Sequence, residues 1–314
     1  VNPDFGQVEA DPSQVNLTAF ETFFEEKRPF FIEGKNIFDY NLGMHGPNNL
    51  FYSRRIGRRP QHYPDMMEGE YTDIPQATKI LGAAKITGKT KNGLSVGIME
   101  SLAAKETAVI KNGLERSETV EPLTNYFAGT VSKEFNKGNT ILGAMVTSVN
   151  RFSDEEHLDF LHSSALSGGI DFQQYFADRS YSISVSAYGS QVRGSEEALV
   201  RTQRSPVHYF QRPDADHLTL DSTRTSLSGF GASVDFAKTS GRFNFGGFAT
   251  FNGPGLELND LGFLSNTDEI LQVLWAGYSF NERFGIIRRA RLIVNLYYLF
   301  DFGGVHHFSG FYVG

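Results

Sequence analysis

The chain has 314 residues, 40% hydrophobic and 13% aromatic, with 29 Lys and Arg against 36 Asp and Glu and no cysteine. The net charge of −7 excludes a broad basic surface, so neither nucleic acid nor a membrane surface approached through a polybasic patch is an expected partner. Disulfides and thiolate metal centres are excluded too, and no run of about 18 apolar residues is available for a transmembrane helix, so any membrane-spanning role falls to a β-barrel.

The chain begins at Val1 with neither Met nor a signal peptide, and is read as a piece of a longer protein whose targeting segment lies upstream. Residues 1–48 lack strand periodicity. They contain a helical candidate, Thr18 to Glu26, with Asn16 and Thr18 as possible caps and Pro29 as its stop. Phe20, Phe23 and Phe24 share one face of it and are expected to pack this lead-in against its neighbours.

From residue 49 onward, strands are expected at 49–59, 77–90, 94–107, 121–136, 139–152, 164–177, 180–193, 226–238, 241–253, 268–281 and 288–303. Ser226 to Asn252 shows the unit complete. Phe230, Ala232, Val234 and Phe236 alternate with Gly231, Ser233, Asp235 and Ala237; a short polar turn follows; then Phe243, Phe245, Gly247, Ala249 and Phe251 alternate with Asn244, Gly246, Thr250 and Asn252. This is a β-hairpin with one apolar and one small or polar face. In a soluble sandwich the apolar face would meet a second sheet; in an outer-membrane barrel it would meet lipid.

Connection lengths alternate. Short turns fall at Lys91-Asn92-Gly93, Lys137-Gly138, Asp178-Arg179 and Thr239-Ser240, while 60–76, 108–120, 153–163, 194–225 and 254–267 are long and carry most of the charge and nearly all the histidines. Phe135, Phe176, Tyr181, Phe236, Phe243, Phe280 and Phe284 lie within a few residues of short turns, where a headgroup girdle would place large rings. The pattern predicts an all-β fold: an antiparallel up-and-down transmembrane β-barrel, incomplete, with about eleven strands visible, and a short irregular or helical N-terminal lead-in. The expected division is a periplasmic lead-in or plug over 1–48 and a partial outer-membrane barrel over 49–314. The long connections, 194–225 above all, are expected to be extracellular loops.

NPDFGQVEADPSQVNLTAFETFFEEKRPFFIEG (Asn2 to Gly34) and FYSRRIGRRP (Phe51 to Pro60) resemble a family of large Bacteroidota envelope proteins. In that family a carbohydrate-binding family 9-like β-sandwich precedes a C-terminal domain of unknown function that looks like an outer-membrane barrel. The resemblance implies that this chain is the barrel-side domain, located in the outer membrane of a Gram-negative bacterium. It carries over no reaction, and suggests carbohydrate only as a ligand class.

The densest positive cluster is Arg54, Arg55, Arg58 and Arg59. Guanidinium forks recognise carboxylates and phosphates, so the cluster could form an anion site; the expectation is instead that it pairs with Glu21, Glu25, Glu26 and Glu33 and pins the lead-in. Tyr209 and Phe210, beside Arg204 and Arg212, could stack on a sugar or pack a loop over the barrel mouth. Asp154, Glu155, Glu156, His157 and Asp159 form one acidic loop cluster and Asp214, Asp216, His217 and Asp221 another. Neither has EF-hand spacing, and no metal or cofactor is expected. No nucleophile, zinc-protease or phosphate-loop motif occurs, and no catalytic residue is assigned. The expected function is binding or passage of a small or oligomeric solute, with carbohydrate as a candidate and the lipid bilayer and other envelope proteins as partners. The alternatives are a membrane-anchored glycan hydrolase and a non-catalytic structural component of an envelope complex.

Overall fold

The computed structural model describes residues 11, 15–40, 42–43, 46–112, 114–283, 285 and 288–314. Its strands, in chain order, are β1 (Tyr71–Asp73), β2 (Ile80–Lys89), β3 (Leu94–Ala103), β4 (Glu106–Asn112), β5 (Leu114–Glu121), β6 (Leu123–Phe135), β7 (Thr140–Phe152), β8 (Ser164–Phe176), β9 (Tyr181–Arg193), β10 (Ser226–Lys238), β11 (Phe243–Asn252), β12 (Glu269–Phe280), β13 (Ala290–Phe300) and β14 (His306–Val313). Two short α-helices, α1 (Pro29–Ile32) and α2 (Glu196–Arg204), accompany them. Eleven strands form one continuous sheet in the order β14-β13-β12-β11-β10-β9-β8-β7-β6-β3-β2, and β1, β4 and β5 form a small separate one. Every pairing is antiparallel. Among the described residues no pairing joins the edge strands β2 and β14.

Because side chains alternate across a strand, registered partners define rows on one face. One row runs Val96, Val131, Ala144, Ile170, Ala187, Ala232, Phe251, Ile270 and Phe300 across nine strands with no polar residue in it. Other members of this face, such as Ile86, Phe230 and Leu274, are 72%, 61% and 55% exposed, so no second sheet covers it. At the short-turn edge of the same face Phe176 stacks on Tyr181 (centroids 5.5 Å apart), Tyr181 lies 6.4 Å from Phe236, and Phe236 lies 5.9 Å from Phe245. Phe284 lies outside the described residues.

The opposite face holds the core. Met99, Tyr126, Ala128, Met145, Val149, Tyr188, Val192 and Leu227 from the sheet meet Phe31, Phe38, Tyr40 and Leu42 from the lead-in and Leu256, Leu258, Leu261 and Leu264 from the β11–β12 connection. Gly34 abuts Thr87 on β2, while Gly43 abuts Thr250 on β11. Those strands are seven spacings apart in the sheet, about 34 Å if it were flat. Nine residues of fully extended chain reach only about 30 Å, and Lys35–Ile37 is a tighter 3₁₀ turn. The sheet is therefore curled around the lead-in. Gly169 on β8 is needed for the fit, since a Cβ there would stand 2.5 Å from the Tyr40 hydroxyl oxygen.

Several local expectations are corrected. Thr18 to Glu26 is not helical; the helix starts at Pro29, whose fixed φ suits a first helical position rather than a stop. Residues 49–59 form no strand but an isolated bridge, Asn49 to Phe263, and a 3₁₀ turn at Ser53–Arg55, because Arg55 reaches across to the Gly262 carbonyl. The expected loop 108–120 is mostly the β4–β5 hairpin, and β14 lies beyond the last expected strand. Residues 194–225 are not a fully exposed loop: they contain α2 and bury Leu199, Gln203, His208 and Phe210.

A buried ion pair anchors the lead-in. The Glu26 carboxylate takes Arg28 Nη2 at 2.7 Å and the Ser53 hydroxyl at 2.6 Å, and Arg28 also donates to the Ile56 and Ser53 carbonyls at 2.7 and 2.8 Å. Burial raises the Glu26 pKa, but the hydrogen bond and charge of Arg28 outweigh it and hold the carboxyl below its ordinary range. Removing one partner strands the other charge, a loss of about 3–5 kcal/mol in comparable buried pairs. Glu26→Ala is therefore expected to release residues 15–56 to limited proteolysis while the eleven-stranded sheet keeps its circular dichroism; cleavage at the wild-type rate would contradict this anchoring.

Candidate functional site

At the long-connection end of the curled sheet, α2, the chain around Arg58 and the connections 153–163 and 254–267 come together around one cavity. Helix α2 begins where Ser195 Oγ accepts from the Ala198 amide at 3.1 Å, with Glu196 and Glu197 in its first turn and Arg201 and Arg204 in its last. Gln203 ties the helix to the following segment: its side-chain Nε2 donates to the Asp221 carbonyl and its Oε1 accepts from the Asp221 amide, both at 2.9 Å. Beneath α2 lies a cavity of about 300 Å³ lined by Arg55, Arg58, Arg151, His162, Arg201, Ser205, Glu257 and Asp260, among others.

Most charges in this wall are matched. Arg151 Nη1 donates to Asp260 Oδ1 at 2.6 Å and to the His162 carbonyl at 2.9 Å. His162 Nδ1 lies 2.8 Å from Asp260 Oδ2, and its Nε2 lies 2.7 Å from Thr202 Oγ1. Carboxylate, imidazole and hydroxyl in line resemble an activated nucleophile, but the proton inventory differs. The Thr202 hydroxyl also lies 2.9 Å from the Ala198 carbonyl; when its single proton goes there it accepts from His162, and the ring then donates through both nitrogens as an imidazolium. Burial disfavours that charge, yet the Asp260 charge and hydrogen bond outweigh it and raise the His162 pKa. Burial likewise works against the Asp260 charge, and His162 and Arg151 together hold its carboxyl far below the usual range. The cluster is a fixed ionic knot rather than a base poised to take a proton.

Three donors in the wall are left over. Arg58 Nε, Arg151 Nε and Ser205 Oγ are buried without a hydrogen-bond partner, three of only six such side-chain atoms among the described residues. Burial pushes the Arg58 guanidinium pKa down, Tyr126 and Glu121 act the other way, and Arg55 and Arg151 add to the repulsion. No carboxylate of the described residues lies within ion-pair distance of Arg58. Arg201 stands over the Phe160 ring, 4.4 Å from its centroid.

The four arginines expected to act as a group are thus divided. Arg54 pairs with Asp11 and Arg55 with Glu21 at 2.8 Å, both in the lead-in; Arg58 faces the cavity; Arg59 lies over Tyr63, 5.5 Å from the ring centroid. Tyr209 and Phe210 also part company, Phe210 buried beside His208 and Tyr209 half exposed with φ of 46°. Sequence reasoning missed Arg151, Arg201 and Asp260 in this wall; their only signal was ionic residues beside otherwise period-two strands.

Two groups of ligand-type side chains also converge. His217, Asp268 and Asp301 form one, and His62, Glu118 and His157 the other. The acidic runs around Asp154 and Asp214 seen in the sequence do not assemble as such; each supplies a single histidine.

The family model described as Domain of unknown function (DUF5916) matches residues 1–308. No curated protein and no solved structure matches the chain.

The ionic knot sets a pH dependence. His162, with its pKa raised above about 6.5, contributes stability fully below that value and loses it as pH rises through the raised one; Asp260, depressed below about 3.9, contributes above that value and loses it only as pH falls through the depressed one. With Arg151 charged throughout and Glu257 also held low by His208 against burial, stability should plateau between about pH 4 and 6.5 and decline on the alkaline side. His162→Gln is expected to flatten that alkaline decline in melting temperature measured against pH; an unchanged profile would show that His162 does not titrate in this way.

Proposed function

Since the chain belongs to the DUF5916 family, whose description assigns no activity, we propose from its geometry that it is the barrel domain of a Gram-negative outer-membrane protein. In this reading the sheet crosses the bilayer, the lead-in fills its interior as a plug, and the cavity under α2 binds a small solute bearing a carboxylate or phosphate. An acidic saccharide fits best, because the envelope-family resemblance suggests carbohydrate and the wall supplies cationic donors. The membrane reading is supported by the uninterrupted apolar row on the uncovered face and by the aromatic edge at the short turns. The short turns are then periplasmic and the cavity opens outward.

The observation that carries solute recognition is the set of unpaired buried donors Arg58 Nε, Arg151 Nε and Ser205 Oγ in one wall. A buried donor without an acceptor destabilises by about 1–3 kcal/mol, and a guanidinium more, so an anionic oxygen at this point gains what the empty wall forgoes. The raised His162 pKa favours an imidazolium that donates protons over a base that takes them, and so favours binding over hydrolysis.

Two measurements on the full-length protein test the two halves separately. Ile170→Arg on the outward face is expected to lower stability in lipid by about 2–4 kcal/mol, and recovery of the wild-type protein in the soluble fraction without detergent would sink the membrane half. In calorimetry with D-glucuronate and inorganic phosphate, Arg58→Gln should weaken binding roughly 10-fold or more, the size of one charge-assisted hydrogen bond. Wild-type protein that binds neither anion, or a variant that binds as tightly, would sink the solute half.

A further inference from the structure

We propose that His62, Glu118 and His157 form a zinc(II) site on the outer wall of the loop layer, separate from the cavity under α2 and independent of what that cavity binds. The three residues come from segments far apart in sequence: the stretch after Arg59, strand β5, and the 3₁₀ turn Glu156–Leu158. Each offers one ligand atom, and these atoms all lie within 4.8 Å of one another.

The supporting contacts hold the three side chains in place. His157 Nε2 lies 2.8 Å from the Thr119 carbonyl, to which it can only donate, so its Nδ1 carries the free lone pair. Glu118 Oε2 is held by Arg116 Nη1 at 3.1 Å, while Oε1 points at His62 Nε2, 2.7 Å away. The His62 amide donates to the Val120 carbonyl at 3.1 Å, fixing that residue alongside β5. The His62 and His157 rings lie 4.8 Å apart, and the His62 ring leans on Phe160 at 6.0 Å. Two imidazole nitrogens and one carboxylate oxygen suit zinc and the neighbouring late transition metals, and exclude a calcium or magnesium site, which would want oxygen ligands. Three protein ligands leave a fourth position for water, and His157 is exposed, so the ion has a path in.

The other convergent group lacks this character. The Asp268 carboxylate already holds the Arg212 guanidinium as well as His217, and accepts the Phe302 amide at 3.1 Å. Asp301 accepts the Val305 amide at 2.9 Å and His307 Nε2 at 3.2 Å. Both oxygens of each carboxylate are thus taken by protein donors, whereas Arg116 holds only Oε2 of Glu118 and leaves Oε1 toward His62.

The test is a zinc titration of the full-length protein, stripped with chelator, against a competing chromophoric chelator, with cobalt(II) substitution as a spectroscopic check. One equivalent per chain is expected to bind at a site that His157→Ala or Glu118→Gln weakens at least 100-fold, that calcium in large excess does not displace, and that His306→Ala/His307→Ala leaves intact. The cobalt form should show the intense visible bands of a four-coordinate site. His157 is exposed, so that variant should keep its chelator-treated melting temperature, separating lost metal from lost fold. Absence of stoichiometric zinc binding, or binding that survives His157→Ala and Glu118→Gln, would overturn the proposal.

Discussion

One sheet face carries an unbroken apolar row across nine neighbouring strands with no second sheet over it, and the remaining architecture follows from that constraint. A sheet that presents its hydrophobic row outward cannot build a core by pairing with a second sheet. Its inner face therefore has to be furnished by chain from elsewhere. The lead-in supplies Phe31, Phe38, Tyr40 and Leu42, and the β11–β12 connection supplies a run of leucines. The small residues of the inner face, such as Gly97 beside Phe38 and Gly229 against the backbone of Gly255 and Leu256, let these segments approach closely. Size is thus distributed inversely across the two faces.

The inner filling also explains where charge is tolerated. The Glu26–Arg28 pair and the knot of Arg151, Asp260 and His162 lie where lead-in and loops meet the sheet, and each buried carboxylate there has at least two donors. Arg58, in the same wall, has no carboxylate of the described residues within ion-pair distance, and its Nε is buried without a partner. A charge satisfied by the chain holds elements together, and one the chain leaves unsatisfied is available to something else. The division of Arg54, Arg55, Arg58 and Arg59 into tethers, a cavity donor and a surface cation follows from their positions in a 3₁₀ turn and the chain beyond it, not from their identity.

Period-two alternation was legible wherever a strand has two different surroundings, and the span 226–238 was read to the residue. The helix expected at Thr18 to Glu26 failed because Glu21 is drawn to Arg55 and Glu26 to the Ser53 hydroxyl, while Glu26 also takes the Lys27 and Arg28 amides in a local turn; the distant partners are a tertiary demand no local pattern reveals. Residues 49–59 alternate well enough to pass for a strand, but Gly57 at φ 74° and the buried Arg55 belong to a turn. The hairpin β4–β5 did carry a signal, the Asn112-Gly113 pair between strand-forming residues, hidden by its charge. Of the cavity wall, Glu21, Arg55, Arg58, His162 and Ser205 are conspicuous in the sequence, but nothing there brings them together. Arg151 and Asp260 are 109 positions apart, and nothing in either neighbourhood announces the other.

That separation in sequence has a kinetic side. Nearly every pairing in the large sheet joins strands that follow one another along the chain, so the meander can zip up hairpin by hairpin at small loop-closure entropy. The contacts that fill it are of another kind: the Tyr40 hydroxyl to the Ala187 carbonyl spans 147 positions, Arg55 to Gly262 spans 207 and Asn48 to Ser265 spans 217. Contacts of such high order form slowly, and here they cannot form until late strands exist to receive a segment made first. Refolding should therefore pass through a species with its hairpins made and its interior still wet. In pulsed hydrogen exchange, strand amides would gain protection before those of residues 30–56, and simultaneous protection would rule that order out.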